Sequence, residues 1–240
     1  MLPGLPLLTE QAPAQRGEDW RSRVIEAHQR TEARDVYSRI APVYELWAKL
    51  TESRARRRVL EAAAVRDGED VLEVATGTGV QLVELARRNP KGTTVGVELA
   101  SGMLNETRKR LDGAGLAARV QVMEASALEL PLPDESFDLL VNGYMLDLLP
   151  REDIPRALAE FRRVLRPGGR LVLSNMTVAE RRRHRIWDAL YARGINLTAN
   201  CRGVLAAPVL GELGYDRISR EYIAQMGFPT EIVTATRSPS

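Results

Sequence analysis

Ten residues, VLEVATGTGV from Val71 to Val80, constrain this chain more than any other stretch. An apolar run breaks into glycine, threonine and glycine, then resumes with helical spacing, which predicts strand, tight loop and helix. Val71, Leu72 and Val74 suit a strand covered on both faces, where branched and aliphatic side chains pack on a pleated surface. Gly77 and Gly79 let the backbone turn sharply and approach a ligand, because no Cβ intervenes. Val80, Leu82, Val83 and Leu85 follow at helix-compatible positions, so the loop's N–H groups gather at a helix N-terminus. Such an end suits a polar, partly anionic ligand. Alone the loop is a weak signal, since a helix entry in any α/β protein looks similar.

The second part is TTVGVELASGML, Thr93 to Leu104, a further buried strand ending in Glu98, 25 residues beyond Glu73. In a doubly wound sheet the end of the second strand lies beside the first glycine loop, where a carboxylate accepts hydrogen bonds from both hydroxyls of a ribose. Dinucleotide enzymes use similar parts but need a third glycine. That position falls on Leu82, too large for the close helix–strand contact a small residue permits, which argues against a nicotinamide-dependent dehydrogenase.

Read as acid-x-small-x-Gly-x-Gly, the residues Glu73, Ala75, Gly77 and Gly79 resemble the first motif of the class I S-adenosylmethionine-dependent methyltransferases, with Ala75 in place of the first glycine. LPLPDESFDLL (Leu130 to Leu140) and LRPGGRL (Leu165 to Leu171) resemble segments around the fourth and fifth strands of that family's UbiE-like, type 11 branch. YSRIAPVYEL, Tyr37 to Leu46, resembles the branch's cofactor-covering helix, and the likeness runs from about Tyr37 to Thr177. GFPTEIVTATR, Gly227 to Arg237, is family-like in a way that carries fold more than function.

The resemblance implies a doubly wound, mostly parallel, seven-stranded α/β sheet of Rossmann-like type with an N-terminal helical cover. It implies S-adenosyl-L-methionine as cofactor, held by Glu73, Ala75, Thr76, Gly77, Gly79 and Glu98. Leu99 and Met103 would contact the adenine. Ser126, beside Ala127, stands where the family has an aspartate for the adenine amino group. Asn142, at the end of the fourth strand, completes the set. By pattern alone Tyr37 and Tyr44 are a core stripe; by resemblance they lie over the methionine end, where an aromatic face tolerates a sulfonium cation. Methyl transfer would be a direct in-line displacement onto a small-molecule or lipid-like acceptor such as a quinol, phenol, amine or phospholipid headgroup. A non-catalytic module that binds the cofactor is the other reading.

On the acceptor side, Tyr144 and Asp147 lie just past the fourth strand, at the edge where open α/β sheets bind ligands. Asp147 reads either as a general base or simply as a capping or loop residue. After the fifth strand, residues 179–208 form the least family-like part, an insertion opening with RRRHR (Arg181 to Arg185). It reads as a surface helix, or else as a substrate lid or a contact with an anionic lipid surface. Trp187, Tyr191, Cys201 and Arg202 are its acceptor-side candidates, with Cys201 a packed thiol rather than a nucleophile.

Composition narrows the classes. With 34 Lys and Arg against 32 Asp and Glu, the formal charge of +2 gives no electrostatic case for nucleic acid. One cysteine and two histidines make neither a disulfide nor a Cys/His metal site, and a reducing cytoplasm is the natural compartment. No apolar run approaches the ~20 residues that span a bilayer, so membrane contact is peripheral at most. Residues 1–17, broken by prolines and lacking a basic start, read as a disordered terminus rather than a signal peptide. The expected division is a cover over 18–66 and a catalytic domain over 67–240. Within these, RARRR (Arg54 to Arg58) reads as a solvated helix face, Ser101 as a helix cap, and Pro167-Gly168-Gly169 as the stop of a helix from Arg151 to Arg166.

Overall fold

The computed structural model describes residues 53–180 and 203–239. The cover up to residue 52, including Tyr37 and Tyr44, lies outside the described residues. So do Trp187, Tyr191, Cys201 and Arg202 of the insertion.

Seven strands form one sheet in the order β3-β2-β1-β4-β5-β7-β6. They are β1 (Asp70–Val74), β2 (Thr93–Glu98), β3 (Val120–Glu124), β4 (Phe137–Gly143), β5 (Leu165–Met176), β6 (Tyr215–Gln225) and β7 (Phe228–Arg237). The first five run parallel, while β7 pairs antiparallel with both β5 and β6. From β1 the chain builds outward through β2 and β3, then returns to add β4 on β1's other side. The crevice at that reversal, outside the carboxyl ends of the strands, is where such sheets bind ligands.

The helices are α1 (Ser53–Ala63), α2 (Val80–Arg88), α3 (Ser101–Gly113), α4 (Ile154–Val164) and α5 (Ala206–Glu212). Strand alternation divides the core. Leu72, Val74, Leu140, Leu171, Leu173 and Val233 face α4 and α5, meeting Leu158, Phe161 and Leu210. Val71, Leu139, Val141 and Val172 face the other way, against Ala55, Val59 and Ala63 of α1 and Leu85 of α2. Helix α1 is therefore part of the sheet's core, although it falls within the 18–66 segment read as cover.

Three local expectations need correction. The helix expected to run to Arg166 ends at Val164, preceded by a 3-10 turn at Arg151–Asp153. Pro167 disfavours helical geometry at Arg166, so Leu165 turns extended and pairs with Phe137. Pro-Gly-Gly then forms an excursion within β5, with Gly168 at φ 79°, before Arg170 rejoins β4 opposite Leu139. Ser101 is the first residue of α3 rather than its cap; Ala100 holds that position and no side chain caps it. The RARRR run is only partly solvated: Ala55 is buried, and Arg58 pairs with Glu221 of β6 at 2.7 Å and with Glu61.

Candidate functional site

Three residues of the loop after β1 take left-handed backbone: Ala75 at φ 60°, Gly77 at 56° and Gly79 at 77°. For glycine this is free; for Ala75 it costs about 1 to 2 kcal/mol. The departure at Ala75 therefore matters through its backbone rather than its size. The loop is tied down from below, Thr76 N–H donating to Val97 O and Gly79 N–H to Thr76 O. A Cβ built on Gly77 would meet nothing within 4 Å, so open space lies over that residue.

Glu98 ends β2 beside this loop. Its Oε2 accepts the Gly77 N–H at 2.8 Å and its Oε1 the Ala100 N–H at 2.9 Å. Burial pushes this carboxyl above its ordinary range, opposed by the N–H groups of Ala100, Gly77 and Leu99. Each oxygen keeps a further lone pair for a ligand hydroxyl. Leu99 next to it is 50% exposed, one of two large exposed hydrophobic side chains among the described residues. A carboxylate with an apolar lip beside it fits a nucleoside, sugar toward the acid and base toward the leucine.

Helix α3 grips the loop from the far side. Thr107 Oγ1 donates to Gly77 O at 2.8 Å and Arg110 Nε to Thr78 O at 2.7 Å. These two residues, three apart on one helix face, were not singled out as site residues from the sequence. Leu82 is fully buried, and a Cβ on Gly96 of β2 would lie 2.7 Å from its Cδ2. The smallness that dinucleotide enzymes place on the helix is here on the facing strand.

Glu73 sits lower on β1, buried, its Oε1 accepting a bond from Gln81 Nε2 at 3.0 Å and so tying the strand to the first turn of α2. Burial pushes its carboxyl up to about 8, against the Gln81 bond and the Arg56 charge that favour ionisation. An acid raised in this way favours the fold fully below its ordinary value of 4.5, and the contribution is lost as pH rises through about 8. Glu73→Gln should therefore remove roughly 1.4 kcal/mol per pH unit from the slope of stability in that window. Denaturant titrations at several pH values compare the two proteins; parallel slopes would mean that Glu73 stays ionised throughout.

The carboxyl ends of β4 and β5 form the rest of the edge. Asn142 is buried and donates through Nδ2 to Val74 O at 2.8 Å, while its Oδ1 has no partner among the described residues. Tyr144, at φ 51°, bonds through its hydroxyl to Thr230 at 2.9 Å, and its ring lies 6.2 Å from that of Phe228. Asp147 is fully buried in a 3-10 turn, Leu146–Leu148, and its Oδ2 accepts the Met176 N–H at 3.3 Å. Ser126 Oγ accepts the Leu128 N–H at 3.2 Å, and Ala127 and Met103 are buried.

Two further groups at this edge escaped the sequence reading. Asn175 of β5 is fully buried with neither side-chain amide atom bonded among the described residues. Glu231 of β7, its register partner, is also buried and is held by Arg220 at 2.6 Å, by the Ala206 N–H at 2.9 Å and by Thr177 at 3.4 Å. Only the β-pairing of β5 with β7 brings these together, and no local motif announces it. Among the described residues no three His, Cys, Asp or Glu side chains stand close enough to hold a metal ion.

Residues 71–169 match the profile of a methyltransferase domain family. A demethylmenaquinone methyltransferase of Thermus thermophilus is 37% identical over 142 residues, 58% of this chain and 63% of its own length. The ubiquinone/menaquinone biosynthesis C-methyltransferase UbiE of Geobacter sulfurreducens is 32% identical over 183 residues, covering 72% and 70% of the two chains. A 2-phytyl-1,4-naphtoquinone methyltransferase of Nostoc punctiforme is 28% identical over 82% of this chain and 90% of its own. The chain thus spans less than two thirds of the length of the Thermus relative. Among solved structures, the [4+2]-cyclase SpnF superposes with a TM-score of 0.71 at 19% identity, covering 90% of this chain and 99% of that one. An S-adenosylmethionine-dependent methyltransferase of Thermotoga maritima superposes with a TM-score of 0.64 at 21% identity, covering 86% and 100%. Likeness at these identities carries the fold alone.

Proposed function

The chain belongs to the UbiE-like branch of the class I S-adenosylmethionine-dependent methyltransferases, and from that premise we propose that it methylates a hydroxylated aromatic ring of the quinol type. The observation that carries the cofactor half of this reading is Glu98, fixed at the end of β2 against the Gly77 N–H, with open space over Gly77 and an exposed leucine beside it. These residues fit S-adenosylmethionine. Glu98 would hold the ribose hydroxyls, Leu99 the adenine face, and the unpartnered Oδ1 of Asn142 a donor at the methionine end. Ser126 keeps a lone pair for the adenine amino group while holding the Leu128 N–H.

When bound, the cofactor supplies an electrophilic methyl group on a sulfonium. The chain's own work is positioning, which contributes several kcal/mol when reacting atoms are held in line. The residues along this edge would set the acceptor's nucleophilic atom in line with that methyl group, and the proton the acceptor gives up would pass to solvent. Asp147 reads as a positioning residue rather than a base, because its carboxylate ties the turn after β4 to the end of β5. Tyr144, held by Thr230, would form a wall of the acceptor pocket. The relatives' quinone-type names support the acceptor class. None of the described helices is long and apolar enough to cross a membrane.

Methyl transfer from labelled S-adenosylmethionine into a panel of reduced naphthoquinones, simple phenols, amines and phospholipids tests the reading. Label is expected in the reduced naphthoquinones. Label confined to amines or phospholipids would replace the acceptor class, and none in any acceptor would favour the non-catalytic module.

A further inference from the structure

We infer that Asn175 is an acceptor-binding residue whose amide recognises a ring hydroxyl, an inference that rests on the methyl-transfer reading above. Asn175 is fully buried, yet neither its Oδ1 nor its Nδ2 has a partner among the described residues. A buried donor and acceptor left together unbonded weaken the fold, and native proteins keep few such groups. The neighbours do not relieve it. Glu231, directly across on β7, is committed to Arg220, the Ala206 N–H and Thr177. The Met176 N–H next along the chain goes to Asp147.

Its place along the sheet edge assigns the ligand. Asn142 is level with Leu173, so Asn175 lies two residues further toward the carboxyl end of β5, on the same face of the sheet. In the order β2, β1, β4, β5, the edge presents Glu98, the glycine loop, Asn142 and then Asn175. Three strand spacings separate the acid from the amide, about 14 Å across the sheet. A nucleoside held at Glu98 therefore leaves Asn175 for the second substrate.

The amide also discriminates among acceptor classes. It presents an NH2 group that donates and a carbonyl oxygen that accepts, side by side in a single plane. A ring hydroxyl satisfies both, donating to Oδ1 and accepting from Nδ2. A cationic amine offers donors only, and a phosphate diester offers acceptors only, so each would leave half of the amide unbonded. The buried pair thus selects a hydroxylated ring over the other two.

Asn175→Leu, made in the full chain, tests this by replacing the amide with an apolar side chain of similar size. With 1,4-naphthohydroquinone as acceptor, kcat/KM should fall at least tenfold, mostly through KM. S-adenosylhomocysteine affinity by calorimetry should stay within twofold, and the melting temperature should hold or rise because two unbonded polar atoms are gone. Asn175→Ser, which keeps one hydroxyl able to donate and accept, should recover part of the turnover. Unchanged kcat/KM in Asn175→Leu overturns the inference and leaves the methyl-transfer reading intact. A melting temperature well below the parent's for both variants also overturns it, since the amide would then be structural. If the unmodified protein methylates no hydroxylated ring at all, the reading fails and the inference with it.

Discussion

Replacing Glu98 by alanine should weaken S-adenosylhomocysteine binding by about 2 to 4 kcal/mol, roughly 30- to 700-fold, because hydrogen bonds to a charged acceptor contribute about 1.5 to 3 kcal/mol each. Two ribose hydroxyls would lose the same carboxylate. The loss extends beyond the direct contact. Glu98 also accepts the N–H groups of Gly77 and Ala100, so it fixes both the glycine loop and the start of α3. Folding stability should therefore fall by about 1 to 3 kcal/mol as well, the cost of leaving N–H groups short of a partner. From the sequence alone, with Glu98 simply at a strand end, folding would be expected to change little; the two backbone bonds alter that. Glu98→Gln separates the effects, since it keeps the side chain's volume and one accepting oxygen but turns an NH2 toward a backbone N–H. Calorimetric titration beside thermal melting reads both quantities. Unchanged affinity in a folded Glu98→Ala protein would place the ribose elsewhere.

The half of the candidate site proposed for the cofactor is legible in the sequence because its signals are local. Val71 to Val80 carries strand, loop and helix in ten consecutive residues, and Glu98 closes the next strand; periodicity and glycine spacing suffice for both. Leu82 in place of a small residue separates this loop from the dinucleotide type, and the structure gives the compensation as Gly96 on the facing strand. Boundaries were harder. LRPGG reads as a helix stop followed by a strand, yet Leu165 already pairs with Phe137, because the restriction that Pro167 places on Arg166 acts one residue earlier than the glycines suggest. Thr107 and Arg110 look like ordinary helix positions until α3 packs beside the loop and offers them the carbonyls of Gly77 and Thr78. Asn175 and Glu231 were beyond reach altogether. They lie 56 residues apart and meet only through the antiparallel pairing of β5 with β7, which no short-range pattern encodes. Asp147 was readable as a base or as a capping or loop residue; no side chain caps its 3-10 turn, and its bond to the Met176 N–H is that of a loop residue tied to β5.

The two glycines of the loop should fail in opposite ways when each is changed to alanine. Gly77 has φ 56° and open space where a Cβ would stand. Gly77→Ala should then cost only the left-handed strain, about 1 to 2 kcal/mol of stability. Its methyl group would project into the space assigned to the cofactor, so S-adenosylhomocysteine affinity should fall at least a hundredfold, about 3 kcal/mol. Gly79 has φ 77°, and its Cβ would lie 2.9 Å from Thr107 Cγ2 and 3.1 Å from Thr107 Cα. The second of these atoms is backbone and cannot rotate away. Gly79→Ala adds overpacking, typically about 1 to 3 kcal/mol, to the same strain, for a total loss of about 2 to 5 kcal/mol. It should also push α3 from the loop and weaken the Thr107 bond to Gly77 O. Adding Thr107→Ala would relieve the Cγ2 contact but not the one at Cα, so rescue should be partial. Thermal melting with and without S-adenosylhomocysteine separates the pair: Gly77→Ala melts near the parent but gains nothing from the ligand, whereas Gly79→Ala melts far lower before any ligand is added. A Gly77→Ala protein stabilised by ligand as strongly as the parent would show that the space over Gly77 is not where the cofactor lies.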